Sequence, residues 1–468
     1  MPMTDSRLAR SSDLPAAGGT VFLLGIAGAG MRALVPALIA RGCRVAGSDR
    51  DAAAAAGLAA GGVTLHAETD LEPAREADLV IYSSALAEDH PALVAARAAG
   101  VPTMKRARAL GALVNDRRLA AVAGTHGKTT VTAMLAVAAE HAGMDPLAFV
   151  GGRVSAWDGN ARLGTGALAV VEADEFDRSF LELRPELAVV TSVEADHLDV
   201  YGDEGSLEAA FRAFVARAAR VLLCADDEGA RRLAPEVSPP AEVRTYGFAA
   251  DATWRLEVLD AGRSGQSCRL DGPEGELPFH LAVPGAHNAQ NAAAALAAAV
   301  WMGADPSTLT RALEEFRGAE RRLQVLHETE RLVVVDDYAH HPTEVRAGIE
   351  ALRSAWPGRR LVVVFQPHLY SRTRDQAAGF SVALARADRA LVLPIYPARE
   401  TPIPGVSREL ILRAARRGLE PVEPAEVIDL VRVDDPTVLA FMGAGDVTEL
   451  AHHAARSAAS GRFNALGG

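Results

Sequence analysis

Residues Leu119 to Thr130, LAAVAGTHGKTT, constrain the fold more than any other stretch of the chain. Leu119-Ala120-Ala121-Val122-Ala123 is a short apolar run of the kind that makes a buried strand. Gly124-Thr125-His126-Gly127-Lys128-Thr129-Thr130 follows, and a helical pattern then runs from Val131 to His141. Strand, glycine turn, Lys-Thr and helix is the layout of a phosphate-binding loop. Glycines let the backbone approach the phosphates, and the positive end of the helix adds a favourable field. In that layout Lys128 reaches the terminal phosphates and the Thr129 hydroxyl holds Mg²⁺. Gly124 and Gly127 are separated by two residues where the general pattern has four, so an ordinary glycine turn in a βα unit is the alternative. Lysine usage weighs against chance. Of 48 Lys and Arg residues only Lys105 and Lys128 are lysines, and one of the two sits in this loop.

A chain of 468 residues exceeds one hydrophobic core and predicts two or three domains. The net charge of -12 argues against a nucleic-acid partner. Cys43, Cys224 and Cys268 are far apart and odd in number, with neither metal-ligand spacing nor a disulfide framework, which predicts a reducing compartment. Residues 1–19 read as a disordered polar tail without a signal core. The longest apolar stretch, Ala292 to Met302, is too short to span a bilayer. These features describe a cytoplasmic enzyme; an α/β class and a monomer or homodimer are expected.

Three domains are expected, at 20–106, 107–317 and 318–468. The first opens with a strand at Thr20–Leu24, the turn Gly25-Ile26-Ala27-Gly28-Ala29-Gly30, a helix, and a second strand ending at Gly47-Ser48-Asp49. This is a Rossmann-like βαβ unit with an acidic residue about 20 positions after its glycines. Ala27 occupies the place of the middle glycine of a dinucleotide fingerprint, which weakens a nicotinamide reading. A tight turn without ligand and a turn holding a nucleotide diphosphate both remain open.

In the second domain, an apolar strand leads to Glu172-Ala173-Asp174-Glu175-Phe176-Asp177, and another to Glu194-Ala195-Asp196-His197-Leu198-Asp199. Strand ends of a parallel sheet share one edge, so Thr129, Glu172 and His197 are candidates to meet around one or two metal ions; separate surface clusters are the alternative. Trp254 to Phe279 predicts short strands of a small antiparallel side sheet. His287, Asn288 and Asn291 begin an alanine-rich helix, where they suit an adenine edge, a carboxylate or N-capping. In the third domain, strands end in Asp336-Asp337-Tyr338-Ala339-His340-His341-Pro342, in Gln366 to Arg374, in Pro394-Ile395-Tyr396 and in Gly443-Ala444-Gly445-Asp446. Arg321 and Arg322 at its start read equally as a solvated pair or as ligand contacts.

Taken together, the Gly25–Met31 turn, Gly124–Thr130, Glu172–Glu175, Glu194–Asp199, His287-Asn288, Asn291, Asp336–Pro342 and Gln366–Arg374 resemble the Mur ligases, ATP-dependent amide-forming enzymes of peptidoglycan precursor synthesis. The resemblance covers about Val21 to Leu450. The Gly25–Met31 turn together with Asp336-Asp337-Tyr338-Ala339-His340-His341-Pro342 is similar to the alanine-adding branch, and the shortened phosphate loop is the family's own form.

The resemblance implies an N-terminal Rossmann-like domain for the UDP-sugar, a central P-loop ATPase-like domain, and a C-terminal Rossmann-like domain that closes over ATP and the amino acid. It implies that L-alanine is joined to the lactyl carboxylate of UDP-N-acetylmuramate through an acyl phosphate. By position, Gly124, Thr125, His126, Gly127, Lys128, Thr129, Thr130, Asn288, Asn291, Arg322 and Asp337 would bind ATP. Thr129, Glu172 and His197 would hold Mg²⁺. Gly28, Ala29, Gly30, Ser48, Asp49, Ser83 and Ser84 would line the UDP-sugar pocket, and His340 and Arg372 would hold L-alanine. Lys128, Glu172, His197, His340 and Arg372 form the implied catalytic set. Two positions depart from the pattern. Ala27 stands where the family usually has glycine, and Leu369 stands where some relatives carry a base, so carboxylate binding is not assigned there. A tripeptide-adding recycling ligase, a nicotinamide-dependent dehydrogenase and a non-catalytic nucleotide-binding regulator are the competing readings.

Overall fold

The computed structural model describes residues 8–157, 159–195, 201–237, 239–398, 400–415, 418–431, 433 and 435–460. The chain forms two compact units. One holds the residues up to Arg255 with Asp271–Leu277 and Asn291–Ala312; the other holds Leu256–Leu270, Pro278–Gln290 and the chain from Leu313 on.

The first unit contains two α/β sheets. Strands β1 (Thr20–Leu24), β2 (Arg44–Ser48), β3 (Thr64–His66), β4 (Leu79–Tyr82) and β5 (Thr103–Lys105) are ordered β3-β2-β1-β4-β5 and all pair in parallel. β4 is buried at every position, as expected for a parallel strand covered on both faces. Helix Ala29–Ala40 follows β1 after the turn Gly25–Gly28, so Ala29 and Gly30 belong to its first turn, with Gly28 as N-cap.

Residues 8–19 depart from the expected disordered tail. Ser11–Asp13 form a short 3₁₀ turn. The Ser11 hydroxyl donates to Asp116 at 2.6 Å, Arg41 donates to the Ser11 carbonyl at 2.6 Å, and Asn115 donates to the Ala9 carbonyl at 3.1 Å. Ala9 and Leu14 are buried. A few apolar anchors and these bonds hold the segment, where a composition-based reading saw only its polar residues.

The other sheet of this unit is built on β6 (Arg118–Ala123), β7 (Leu147–Val154), β8 (Gly159–Arg162), β9 (Leu168–Glu172), β10 (Leu187–Val190), β11 (Arg220–Cys224) and β12 (Glu242–Gly247), in the order β12-β11-β10-β6-β9-β7-β8. Only β7 and β8 pair antiparallel. The short strands expected after Trp254 are present as β13 (Trp254–Gly262), β14 (Gly265–Gly272) and β15 (Gly275–Leu281), in consecutive hydrogen-bonded order. Register places Ala123 opposite Val190 and Val122 opposite Glu172. The loops after β6, β9 and β10 therefore emerge side by side at the carboxyl edge of the sheet, where ligands of open α/β sheets bind.

The second unit is built on a sheet of β16 (Gln324–Glu328), β17 (Leu332–Asp337), β18 (Arg360–Phe365), β19 (Arg389–Val392), β20 (Leu419–Pro421) and β21 (Thr437–Met442), ordered β16-β17-β21-β18-β19-β20. Only β16 pairs antiparallel. Val333, Val335, Val363, Phe365, Ala440 and Met442 face one apolar core, and Val334, Val362, Val364, Leu439 and Phe441 face another on the opposite side. That alternation is the period-2 signature of strands buried on both faces. Helix Pro342–Ala355 begins with a full set of start signals. Pro342 is its first residue, His341 Nδ1 accepts from the Thr343 N–H at 3.3 Å, and Glu344 accepts from the His341 N–H at 3.3 Å.

Candidate active site

The loop between β6 and helix Lys128–His141 is shaped by its two glycines. Gly127, the helix N-cap, has φ +79°, and Gly124 has φ +141°. Both values favour glycine. The loop is tied to the segment after β10: the Thr125 hydroxyl accepts from the Glu194 N–H at 2.9 Å, the His126 N–H donates to Ser192 Oγ at 3.0 Å, and Thr191 Oγ1 donates to the His126 carbonyl. Asn291 lies over Gly127, so that a Cβ on Gly127 would meet Asn291 Oδ1 at 2.6 Å.

Lys128 and Thr129 leave the loop toward two different carboxylates of the 172–177 segment. Thr129 Oγ1 donates to Glu172 Oε1 at 2.9 Å, and Glu172 Oε2 accepts from the Gly151 N–H at 2.6 Å. Lys128 Nζ donates to the Gly124 carbonyl at 2.5 Å and to Glu175 Oε1 at 2.8 Å. Burial pushes the Glu175 carboxyl up to about 7 against the pull of Lys128. Burial also raises Glu172, opposed by Lys128 and the Gly151 N–H. For Lys128, burial works against the charge, and the Glu175, Asp174 and Glu172 carboxylates outweigh it, leaving the ammonium more basic than an ordinary lysine. Hydroxyl and carboxylate oxygens set side by side, with the carboxylate short of compensation, are a donor set that fits a hard divalent cation such as Mg²⁺. His197, the third expected ligand, lies outside the described residues.

A cleft of about 230 Å³ leads from this carboxylate to the helix Ala29–Ala40 and Arg106, lined by Gly30, Arg106, Phe149, Gly151, Glu172 and Asp174 among others. Gly30 is packed on Arg106, whose Cδ would lie 3.0 Å from an added Cβ. The remaining expected pocket residues stand on the same sheet edge. Ser48 closes β2, with its carbonyl accepting from the Gly25 and Ile26 N–H groups. Asp49 Oδ2 accepts from the Ala27 N–H at 2.8 Å, so this carboxylate braces the glycine turn. Ser83 and Ser84 follow β4, the other neighbour of β1.

Arg322, Asp337, His340 and Arg372 fall in the second unit, at the carboxyl edge of its sheet, and Asn288 falls in the same unit on the helix Ala286–Trp301. Asp337 Oδ1 accepts from the Ala339 N–H at 2.8 Å and Oδ2 from the Leu323 N–H at 3.2 Å. Burial pushes its carboxyl up to about 7, opposed by Arg322. Arg321 and Arg322 are not a solvated pair: both guanidinium groups lie over the Tyr338 ring, at 4.7 and 5.3 Å from its centroid. Arg321 also donates to the Gly443 carbonyl at 2.7 Å. His340 Nδ1 lies 2.8 Å from the Tyr338 carbonyl and 3.3 Å from Glu344 Oε2, while its ring faces that of His368 at 6.0 Å. Arg372, buried, lies 3.4 Å from His368 Nδ1, and His368 stacks on Tyr396 at 5.8 Å. Leu369, at φ +69°, caps the helix that carries Arg372. Asn288, in the first turn of the helix Ala286–Trp301, donates to the Pro284 carbonyl at 2.7 Å. Beside it, burial and Arg322 lower the neighbouring His287 to about 4.

Sequence reasoning missed Glu175, Arg106 and Tyr201 in this neighbourhood. Glu175 carried a signal, three residues beyond Glu172 in an acidic run; Tyr201, whose hydroxyl donates to the Glu175 carbonyl at 2.6 Å, carried none.

A glycine-shaped loop, a lysine and a hydroxyl–carboxylate pair at the carboxyl edge of a parallel sheet have the layout of a nucleotide-phosphate site on an α/β scaffold. Residues 20–118 match the Mur ligase family catalytic domain, 122–299 the Mur ligase middle domain, and 321–454 the Mur ligase glutamate ligase domain. The UDP-N-acetylmuramate--L-alanine ligase of Paenarthrobacter aurescens (strain TC1) is 45% identical over 438 residues, covering 92% of this chain and 95% of its own. That of Streptomyces coelicolor is 44% identical over 452 residues, covering 93% and 97%. The crystal structure of UDP-N-acetylmuramate-alanine ligase MurC from Thermotoga maritima superposes with a TM-score of 0.79 at 30% identity, over 94% of this chain and 99% of that one. The chain belongs to the Mur ligase family.

Proposed function

We propose that this protein joins L-alanine to the lactyl carboxylate of UDP-N-acetylmuramate at the expense of ATP, giving UDP-N-acetylmuramoyl-L-alanine, ADP and phosphate, as a cytoplasmic step of peptidoglycan precursor synthesis. The observation that carries this reading is the pairing of Lys128 and Thr129 with the carboxylates after β9, in a chain 45% identical to an L-alanine ligase.

A carboxylate does not acylate an amine, because its leaving group would be oxide. Attack of the lactyl carboxylate oxygen on the γ-phosphorus makes an acyl–O–P bond and breaks the bond to ADP. The amine of L-alanine then attacks the acyl carbon, phosphate departs with the C–O electron pair, and the amine loses a proton. Both steps crowd negative charge, so the protein's part is positioning and charge neutralisation. Lys128, the Gly124–Thr130 backbone and the positive end of its helix meet the ATP phosphates. Thr129 and Glu172, with His197, would hold Mg²⁺, which supplies charge neutralisation between phosphates when bound. Asn288, Asn291, Arg322 and Asp337 bind the nucleotide, and His340 with Arg372 holds L-alanine. Gly28, Ala29, Gly30, Ser48, Asp49, Ser83 and Ser84 take the UDP-sugar, within the 20–106 domain of a 20–106, 107–317 and 318–468 division. The cleft between Gly30 and Glu172 supports this assignment, because it offers a path for the lactyl end toward the phosphates.

Phosphate release from ATP with Mg²⁺ and UDP-N-acetylmuramate, with and without L-alanine, tests the reading. Release that requires both, with the amide seen by mass spectrometry, is the expected result. Turnover with the murein tripeptide in place of L-alanine would refute the assigned acceptor, and ATP binding without turnover on either would refute the ligase.

A further inference from the structure

Lys128, the residue that the nucleotide reading assigns to the terminal phosphates, is fully engaged within the protein. Its three donors meet the Gly124 carbonyl at 2.5 Å, the Thr125 carbonyl at 3.3 Å and Glu175 Oε1 at 2.8 Å, with Glu175 Oε2 also at 2.8 Å. The Glu175 side chain is only 2% exposed. A carboxylate is an anion with two oxygens at hydrogen-bonding reach of an ammonium, and so reproduces what a phosphate edge presents.

The segment that presents Glu175 is unusual. Two consecutive non-glycine residues, Asp177 and Arg178, adopt left-handed backbone at φ +54° and +56°. L-residues visit this region singly and at a cost, and such strain persists only where surrounding contacts over-determine it. The contacts are present here. Asp177 pairs with Lys105 at 3.2 Å, the Arg178 guanidinium lies 5.6 Å from the Tyr201 ring centroid, and the Tyr201 hydroxyl donates to the Glu175 carbonyl at 2.6 Å. The chain's only two lysines, Lys105 and Lys128, thus both pair with this one acidic segment.

We propose that Glu175 is a positioning residue that holds Lys128 in the nucleotide-free protein by standing in for a phosphate, so that an incoming nucleotide must displace this carboxylate to reach the lysine. The proposal rests on the nucleotide reading of the loop above. The latch keeps the ammonium inside the loop, neutralised against stray anions, and it weakens nucleotide affinity by the strength of the contact it surrenders.

Calorimetric titration of ADP into the full chain in EDTA tests this without acceptor or metal. Glu175→Gln is expected to tighten ADP by about five- to tenfold, because the competing charge is gone. Glu175→Asp retains the charge but withdraws the carboxylate by one methylene, and is expected to tighten ADP by about two- to threefold; simple charge repulsion would leave it unchanged. A merely structural role predicts the opposite sign, since a loosened loop binds more weakly. Unchanged or weaker ADP binding in a folded Glu175→Gln protein overturns the latch, and if that variant does not fold, an unchanged Glu175→Asp does so. Lys128→Ala should lose ADP binding. If the wild type binds no ADP, the nucleotide reading falls and the latch with it; if the wild type binds and neither Glu175 variant gains, the latch alone falls.

Discussion

Alanine at Gly124 and alanine at Gly127 should damage the phosphate loop to very different degrees, although the two glycines look equivalent in the sequence. Both have left-handed φ, +141° and +79°, so each alanine carries a backbone penalty of about 1–2 kcal/mol. The surroundings separate them. At Gly127 the added methyl meets the tip of one side chain, Asn291 Oδ1, at 2.6 Å, and its next contact is at 3.5 Å; a rotation of the Asn291 amide clears it. At Gly124 the methyl overlaps Thr191 Oγ1 and also lies 2.9 Å from the Ser192 nitrogen and 3.0 Å from the Thr191 nitrogen. Those backbone atoms belong to the segment after β10 and cannot rotate away, and Thr191 Oγ1 is itself bonded to the His126 carbonyl. Overpacking of this kind costs a further ~1–3 kcal/mol. Gly127→Ala should therefore cost about 1–2 kcal/mol and Gly124→Ala about 2–5 kcal/mol. Urea unfolding followed by far-UV circular dichroism, compared by midpoint at a common slope, reads the difference. Equal losses in the two variants, or a Gly124→Ala protein within 1 kcal/mol of wild type, would refute the argument that fixed backbone, rather than glycine's φ alone, sets the cost.

Three further outcomes follow from the site. Lys128→Ala should fold, because loss of the ammonium that opposes protonation lets the buried Glu175 carboxyl, already lifted to about 7, take up a proton, yet release no phosphate from ATP; turnover by the folded variant would remove Lys128 from the machinery. Asp337, lifted to about 7 by burial, binds its proton more tightly folded than unfolded, so its contribution is complete below about pH 4 and is lost as pH rises through 7. Asp337→Asn should therefore gain stability relative to wild type between pH 5 and 8, on the order of 2 kcal/mol, in paired melts, and a pH-independent gap would contradict the shift. Ser11→Ala should cost about 0.5–1 kcal/mol and speed proteolysis before Asp13, since it removes the hydroxyl bond to Asp116; unchanged cleavage would mean that the apolar anchors alone hold the segment.

The parts whose chemistry is local were legible in the order of residues. Leu119–Thr130 contains the strand, the turn, the lysine and the hydroxyl in one run of chain, so spacing and residue type suffice to read it. The same holds for β17, whose apolar run ends in Asp336-Asp337, and for the helix start at His341-Pro342 with Glu344, where capping is a matter of neighbours three residues apart. Tertiary structure decided the pairings. Within Glu172–Asp177 the strand end pointed to Glu172 as the neighbour of Thr129, but nothing in the order of residues says that Glu175 meets Lys128. Strand order β10-β6-β9 sets the 172–177 segment beside the phosphate loop, and the left-handed turn at Asp177-Arg178 helps place Glu175 against the lysine. Asp49 is a similar case. Its distance from the glycines suggested a ligand contact, and the parallel register of β1 with β2 brought it to the Ala27 N–H. Local rules read what a few consecutive residues impose on one another; contacts between residues 22 or 47 positions apart depend on sheet order and register, which no single segment encodes.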